Sequence, residues 1–169
     1  MSLIFDASQS YFDTLSQRVD LDFLNDAQQQ DLRKILGLSD FVADALIKQP
    51  DLLGNILSQK LLNSASRTQL MSDDLTSKLS DVNDEVALHK AVRLFRRKQM
   101  VVIAWRELTL KSSLQESFEH ISFLADLLIE KTLQWLYNDQ CRLQGTPMNS
   151  EGVRQPLYLF AMGKLGGKE

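Results

Sequence analysis

Cysteine is almost absent. Cys141 stands alone, so no intramolecular disulfide can form, and no Cys/His cluster has the spacing of zinc ligands. This usage fits a reducing cytoplasm. Long apolar runs are missing too: the longest, Met100 to Trp105, is far short of the ~20 residues that cross a bilayer. The first residues, Met1-Ser2-Leu3-Ile4-Phe5-Asp6, lack the basic start and apolar core of a signal peptide. Glycine and proline are scarce through most of the chain, where only Gly37, Gly54 and Pro50 precede residue 145. So few breakers over so long a stretch exclude an all-β fold and predict a mainly helical one.

The remaining breakers crowd the end. Gly145, Gly152, Gly163, Gly166, Gly167, Pro147 and Pro156 all lie in the last 25 of 169 residues. Apolar residues make up 44% and charged residues 24%, which suits a folded body of one domain, two at most. The net charge of −3 is uneven: residues 1–89 hold 7 basic and 14 acidic side chains, and residues 90–111 hold 7 and 1. One basic island in an acidic chain argues against nucleic-acid coating, which needs many phosphates neutralised. It leaves room for a local anion or partner site.

Helical periodicity predicts a helix over 6–19 carrying Phe12, Leu15 and Val19. Asn25 is placed to cap a second over 26–36, ended by Gly37, and Ser39 a third with Phe41, Val42, Ala45 and Leu46 on its apolar side. Pro50 opens a short helix through Leu57, and Ser66 caps one covering Leu70 to Leu79. Two long helices follow, over 83–110 and from Ser113 to Gly145, the second opened by a Ser113-Leu114-Gln115-Glu116 capping box. The short Lys111-Ser112 connection makes them an antiparallel pair, with Trp105 and Trp135 as core anchors.

After Gly145 the period changes. Residues 148–154 are polar, and Leu157-Tyr158-Leu159-Phe160-Ala161-Met162 is an unbroken apolar run of strand length. Gly163-Lys164-Leu165-Gly166-Gly167 follows. A buried strand entering a glycine turn is a common phosphate cradle, because glycines let backbone N–H groups approach an anion. A P-loop is excluded by Met162 at its first glycine position and Glu169 at its hydroxyl, and a dinucleotide fingerprint by Ala161. From spacing alone, a tight strand-to-helix turn without a ligand stands equally well.

The other chemistry-bearing residues are isolated. His89 and His120 have no partners at metal spacing, Cys141 has no His/Asn companion, and no serine sits in a Gly-x-Ser-x-Gly elbow. No catalytic or metal-ligating set is visible. Arg93, Arg96 and Arg97 share one helical face at i, i+3 and i+4. They present either an anion or partner site or a solvated, salt-bridged face.

The stretch from Leu157 to Glu169 resembles the Gly-Met-Gly-Lys-Leu-Gly-Gly-x-Glu-Leu-Asn segment of the glutamine synthetase adenylyltransferase/adenylyl-removing enzymes, with Ala161 replacing the first glycine. Leu94-Phe95-Arg96-Arg97, then Met100 and Ile103-Ala104-Trp105, are similar to the family's Leu-Phe-Arg-Arg-x-x-Met-x-x-Ile-Ala-Trp. Ser39-Asp40-Phe41-Val42, Trp135-Leu136-Tyr137 and Gly145-Thr146-Pro147 also match, in order. The resemblance implies an antiparallel helical body over 1–145, then over 153–169 the first strand and glycine turn of an incomplete polymerase-beta-like nucleotidyltransferase domain. It implies phosphate contacts from Gly163, Lys164, Gly166 and Gly167. Magnesium or manganese and ATP/ADP would serve the parent, with glutamine synthetase and the PII signalling protein as partners. The features near Ser39-Asp40-Phe41-Val42 resemble the half that removes AMP by phosphorolysis. In the family pattern the metal-binding carboxylates follow on the next strand, past Glu169, so this chain alone is expected to be inactive and to hold no cofactor. Residues 157–162, a strand without a sheet, are expected to be disordered, to fold back on the helices or to pair between copies. A non-catalytic helical interaction module is the alternative.

Overall fold

The computed structural model describes residues 2–63 and 67–163, with the side chains of residues 2–7 left out. The described residues form seven helices: α1 (Ser2–Ser16), α2 (Asp26–Leu38), α3 (Asp40–Lys48), α4 (Asp51–Ser58), α5 (Arg67–Ser80), α6 (Glu85–Leu108) and α7 (Leu114–Gln144). None of the described residues belongs to a strand. The fold is mainly α, as the scarcity of glycine and proline predicts.

Capping explains most of the boundaries. The Asn25 side chain accepts from the Gln28 amide while the Gln28 side chain accepts from the Asn25 amide, a reciprocal box that starts α2. Gly37 does not end that helix. The helix continues to Leu38, and Ser39 serves twice: its extended backbone (φ −148°) closes α2 and its hydroxyl accepts from the Val42 amide to open α3. A glycine inside a helix is tolerated at a cost of ~1 kcal/mol when the next cap is strong. Pro50 takes the N-cap of α4 in helical conformation, supplying a preset φ rather than a side-chain bond. The expected cap at Ser66 lies outside the described residues.

The chain divides into two compact units: Met1–Arg67 with Arg97–Ser117, and Thr68–Arg96 with Phe118–Glu169. In the first, α1 to α4 and the second half of α6 enclose one core in which Leu15, Leu32, Ile35, Leu36, Leu46, Leu53 and Ile56 are fully buried around Trp105. Phe41 departs from the expected apolar face and is half exposed, because Val42, Ala43, Ala45 and Leu46 already fill the side of α3 facing the core. Each buried Leu or Ile contributes about 1.5–3 kcal/mol of transfer free energy. In the second unit Met71, Leu75, Leu79, Leu88, Phe95, Leu124 and Leu127 are buried, and Trp135 is half-buried, its indole N–H donating to the Val82 carbonyl. That bond joins the loop before α6 to the C-terminal half of α7. Phe118 and Ile121 of α7 are partly exposed, at 46% and 39%.

Two helices end on residues other than glycine in the left-handed region. Lys60 (φ 51°) follows α4 and Leu110 (φ 61°) follows α6. In both, a 6→1 bond closes the turn: Leu61 N–H to the Ile56 carbonyl, and Lys111 N–H to the Arg106 carbonyl. The left-handed conformation costs a leucine roughly 1–2 kcal/mol, and the Leu110 side chain is 85% exposed. Leu110→Gly is therefore expected to stabilise the chain by about 0.5–1 kcal/mol, after subtracting the extra freedom of glycine when unfolded. Thermal denaturation should show a midpoint about 2 °C higher. A lower midpoint would mean that the exposed leucine makes a stabilising contact.

Candidate functional site

The C-terminal segment is more ordered than its polar composition suggests. Gly145 (φ 91°) ends α7 in the left-handed conformation, and its amide bonds the Cys141 carbonyl. Residues 147–155 then fold into a small hairpin. The Gln155 amide donates to the Pro147 carbonyl and the Asn149 amide to the Val153 carbonyl, with a single antiparallel bridge between Met148 and Arg154. The Asn149 side chain holds the tip by accepting from the amides of Glu151 (3.0 Å) and Val153 (2.8 Å). Gly152 supplies the positive φ (75°) there.

This hairpin is clamped to the end of α7. The Arg154 guanidinium lies 4.7 Å over the Tyr137 ring and donates to the Asn138 side chain at 2.9 Å, while the Tyr137 hydroxyl donates to the Gln155 carbonyl. The hydrogen bond with Tyr137 holds the Arg154 guanidinium above its ordinary pKa. The clamp fixes where the chain leaves the helix. A loop of low apolar content gives no periodic signal, so the sequence shows only a polar stretch here.

Residues 157–162 form no strand among the described residues, where no second strand offers backbone partners, and of the outcomes expected for them folding back on the helices is the one observed. Instead Leu157, Tyr158, Leu159, Phe160 and Ala161 fold back to face Ile129 and Leu133 of α7 across a groove of about 490 Å³. Their exposure stays high, up to 87% at Phe160 and 88% at Met162. At Gly163 the backbone turns into the left-handed region (φ 69°), and a side chain there would meet open space. Gly163 is the one member of the expected phosphate turn that is described. Lys164, Gly166 and Gly167 lie outside the described residues.

The basic island divides by role. Arg93 and Arg96 are exposed, whereas Arg97 is half-buried with its guanidinium 3.5 Å from the Gln49 side chain. Lys98, Arg106 and Lys111 turn inward. Lys98 donates to Gln59, Lys111 pairs with Asp31, and Arg106 donates to the Leu62 carbonyl (2.7 Å) and to Glu116 (2.6 Å). Much of what composition presents as a charged face is thus internal bracing of the first unit. The sequence reading missed its central member, Arg67, only 1% exposed, which donates to the Leu61 carbonyl and to Gln99 (2.6 Å). A signal did exist for Arg106, which falls one turn after Val102 on the apolar stripe of α6. The Ser113 hydroxyl accepts from the Glu116 amide as expected, and the Glu116 carboxylate also receives Arg106.

His89 is exposed beside Glu85, one turn away at 3.4 Å, and His120 is buried. Cys141 is half-buried, with the Arg154 guanidinium 4.0 Å from its sulfur. Among the described residues no group of three His, Cys, Asp or Glu side chains could hold a metal ion, and no helix is long and apolar enough to cross a membrane. The described residues therefore do not fit a metal centre.

The described residues define a helical body that passes through a clamped hairpin to the left-handed turn at Gly163. Residues 29–169 match the family model described as glutamate-ammonia ligase adenylyltransferase. The chain is 56% identical over its full length to a bifunctional glutamine synthetase adenylyltransferase/adenylyl-removing enzyme of Psychromonas ingrahamii, of which it covers 18%. It is 41% and 39% identical, over 86% of its length, to proteins of the same description from Shewanella woodyi and Shewanella loihica, covering 15% of each. The chain belongs to the glutamate-ammonia ligase adenylyltransferase family, and it spans less than a fifth of the length of these relatives.

Proposed function

We propose that this chain is the amino-terminal piece of a bifunctional enzyme that attaches AMP to a tyrosine of glutamine synthetase and removes it again. The piece belongs to the phosphorolytic, adenylyl-removing half. The observation that carries this reading is the 56% identity, unbroken over all 169 residues, to a relative described by both activities. The left-handed turn at Gly163, directly after an apolar run, supports a phosphate-binding role for Gly163, Lys164, Gly166 and Gly167. Exposed Arg93 and Arg96, with Arg97 beside them, are available to an anion or to an acidic partner surface.

In this reading residues 1–145 are the helical region and residues 153–169 the opening of a polymerase-beta-like nucleotidyltransferase domain. Magnesium or manganese would bind to carboxylates supplied by the parent protein beyond Glu169, with ATP and ADP as its nucleotides. Glutamine synthetase is the substrate, PII the signalling partner and the cytoplasm the setting. Nucleotidyl transfer needs charge neutralised at the phosphate oxygens as the bond breaks, and a glycine turn can position phosphates without neutralising them fully.

The chain alone is therefore expected to be inactive. Purified chain, adenylylated glutamine synthetase, inorganic phosphate and magnesium should release no ADP. A version extended through the following carboxylate-bearing strands and the rest of that half should release it. ADP release by the 169-residue chain would refute the division of labour between turn and carboxylates.

A further inference from the structure

A second cavity, remote in sequence from the glycine turn, lies wholly within the first unit. It has a volume of about 400 Å³ and is lined by Gln28, Asp31, Ile56, Leu57, Lys60, Leu62, Asn63, Trp105 and Lys111. Its apolar part comes from Ile56, Leu57, Leu62 and the Trp105 ring. The polar part carries two lysines, Lys60 and Lys111, against one carboxylate, Asp31, with the Gln28 and Asn63 side chains able both to donate and to accept. Asp31, the sole carboxylate of the lining, is already paired with Lys111. The Gln28 amide oxygen is committed to the cap of α2. Lys60 is exposed and has no ion-pair partner among the described residues. Trp105 is 1% exposed, and its buried indole N–H has no acceptor among the described residues.

A buried donor without an acceptor costs about 1–3 kcal/mol, and native folds seldom leave one unless something else satisfies it. The backbone adds a separate observation. Lys60 and Leu110 are the two non-glycine residues with positive φ among those described. One is itself part of the lining, and the other directly precedes Lys111. The capping bonds that close α4 and α6 hold both residues there, and so fix the backbone that carries Lys60 and Lys111.

We propose that this cavity binds a small amphipathic monocarboxylate. Its carboxylate would meet the Lys60 ammonium and neighbouring donors, and its hydrocarbon body would lie on Ile56, Leu57, Leu62 and Trp105. The net lining charge of one positive unit, left after Asp31 offsets one of the two lysines, matches a single negative charge. An apolar wall with a few polar groups is the usual make-up of a small-molecule site.

The test uses hexanoate as probe, with 1-hexanol and inorganic phosphate as comparison ligands. A Trp135→Phe background makes Trp105 the sole tryptophan, so its emission reports on the cavity. Hexanoate should change that emission saturably with one site per chain. Hexanol should bind at least about tenfold more weakly, the factor a charge-assisted hydrogen bond supplies, and phosphate should not displace hexanoate. Lys60→Gln should weaken hexanoate by a similar factor without moving the thermal midpoint, and Lys60→Arg should restore most of the affinity. Absence of a saturable change overturns the proposal. Equal affinity for hexanoate and hexanol, displacement by phosphate, or unchanged binding by Lys60→Gln does so as well.

Discussion

Arg106→Met is expected to destabilise the chain by about 2–4 kcal/mol, the cost of a stranded buried carbonyl together with an emptied buried volume. Arg106 is 5% exposed, and its guanidinium joins two segments at once. One donor reaches the Leu62 carbonyl in the turn after α4, and another reaches the Glu116 carboxylate in the first turn of α7. Methionine preserves much of the aliphatic stem but leaves both acceptors without this donor. The two losses are unequal. The Glu116 side chain is 34% exposed and water recovers part of its hydration, so most of the penalty falls on the Leu62 carbonyl and the emptied guanidinium volume. Glu116→Gln, which keeps a hydrogen-bond acceptor at the surface end, should accordingly cost only about 1 kcal/mol. Urea denaturation would show the difference as a large fall in midpoint for Arg106→Met and a small one for Glu116→Gln, with similar slopes. Equal midpoints for the two variants would show that the Leu62 contact contributes nothing.

Arg106 also shows how far the helical pattern carried the reading of the fold. The apolar stripe of α6, the cap at Asn25, the doubled role of Ser39's position and the stop at Gly145 all follow from local rules of spacing and capping. Those rules act within a few residues and are therefore visible in one sequence. What the pattern hides is long-range. Arg67 meets Gln99 across 32 positions and Lys111 meets Asp31 across 80, and no local periodicity encodes either pairing. Gly37 misled because glycine permits a helix end without requiring one, and the stronger cap two residues on prevailed. For residues 157–162, folding back on the helices is one of the outcomes expected of a strand without a sheet. Their composition suits a strand covered on both faces, but a strand exists only when another chain segment completes its hydrogen bonds. Of the expected glycine turn only Gly163 is described, and its left-handed backbone is what a tight turn requires with or without a ligand.

The Arg67 site should respond in the opposite manner to a paired substitution. Arg67→Met alone is expected to cost about 2 kcal/mol, because it strands the Leu61 carbonyl and the Gln99 side-chain oxygen, each of which loses a buried donor. Adding Gln99→Leu removes one of those stranded groups, and the double variant should recover to within about 1 kcal/mol of the parent chain. The gain comes from deleting a charge that is poorly housed. Burial first, and the nearby Arg106 guanidinium second, push the Arg67 pKa down to about 10, with Glu116 opposing them. A pKa lowered on folding means that the unfolded chain binds the proton more tightly. Below pH 10 the cost of burying the cation is present in full, and it is relieved as pH rises from 10 toward the ordinary guanidinium value. The stability difference between the parent chain and the double variant should be flat between pH 7 and 9. It should then shift by about 1 kcal/mol in favour of the parent by pH 11. Lysines and tyrosines also titrate there, but they do so in both proteins and largely cancel in the difference. Urea midpoints across this range supply the measurement. A flat difference through pH 11 would show that Arg67 carries no burial penalty, and that its two acceptors and Glu116 together offset the cost of placing two guanidinium groups inside one helical unit.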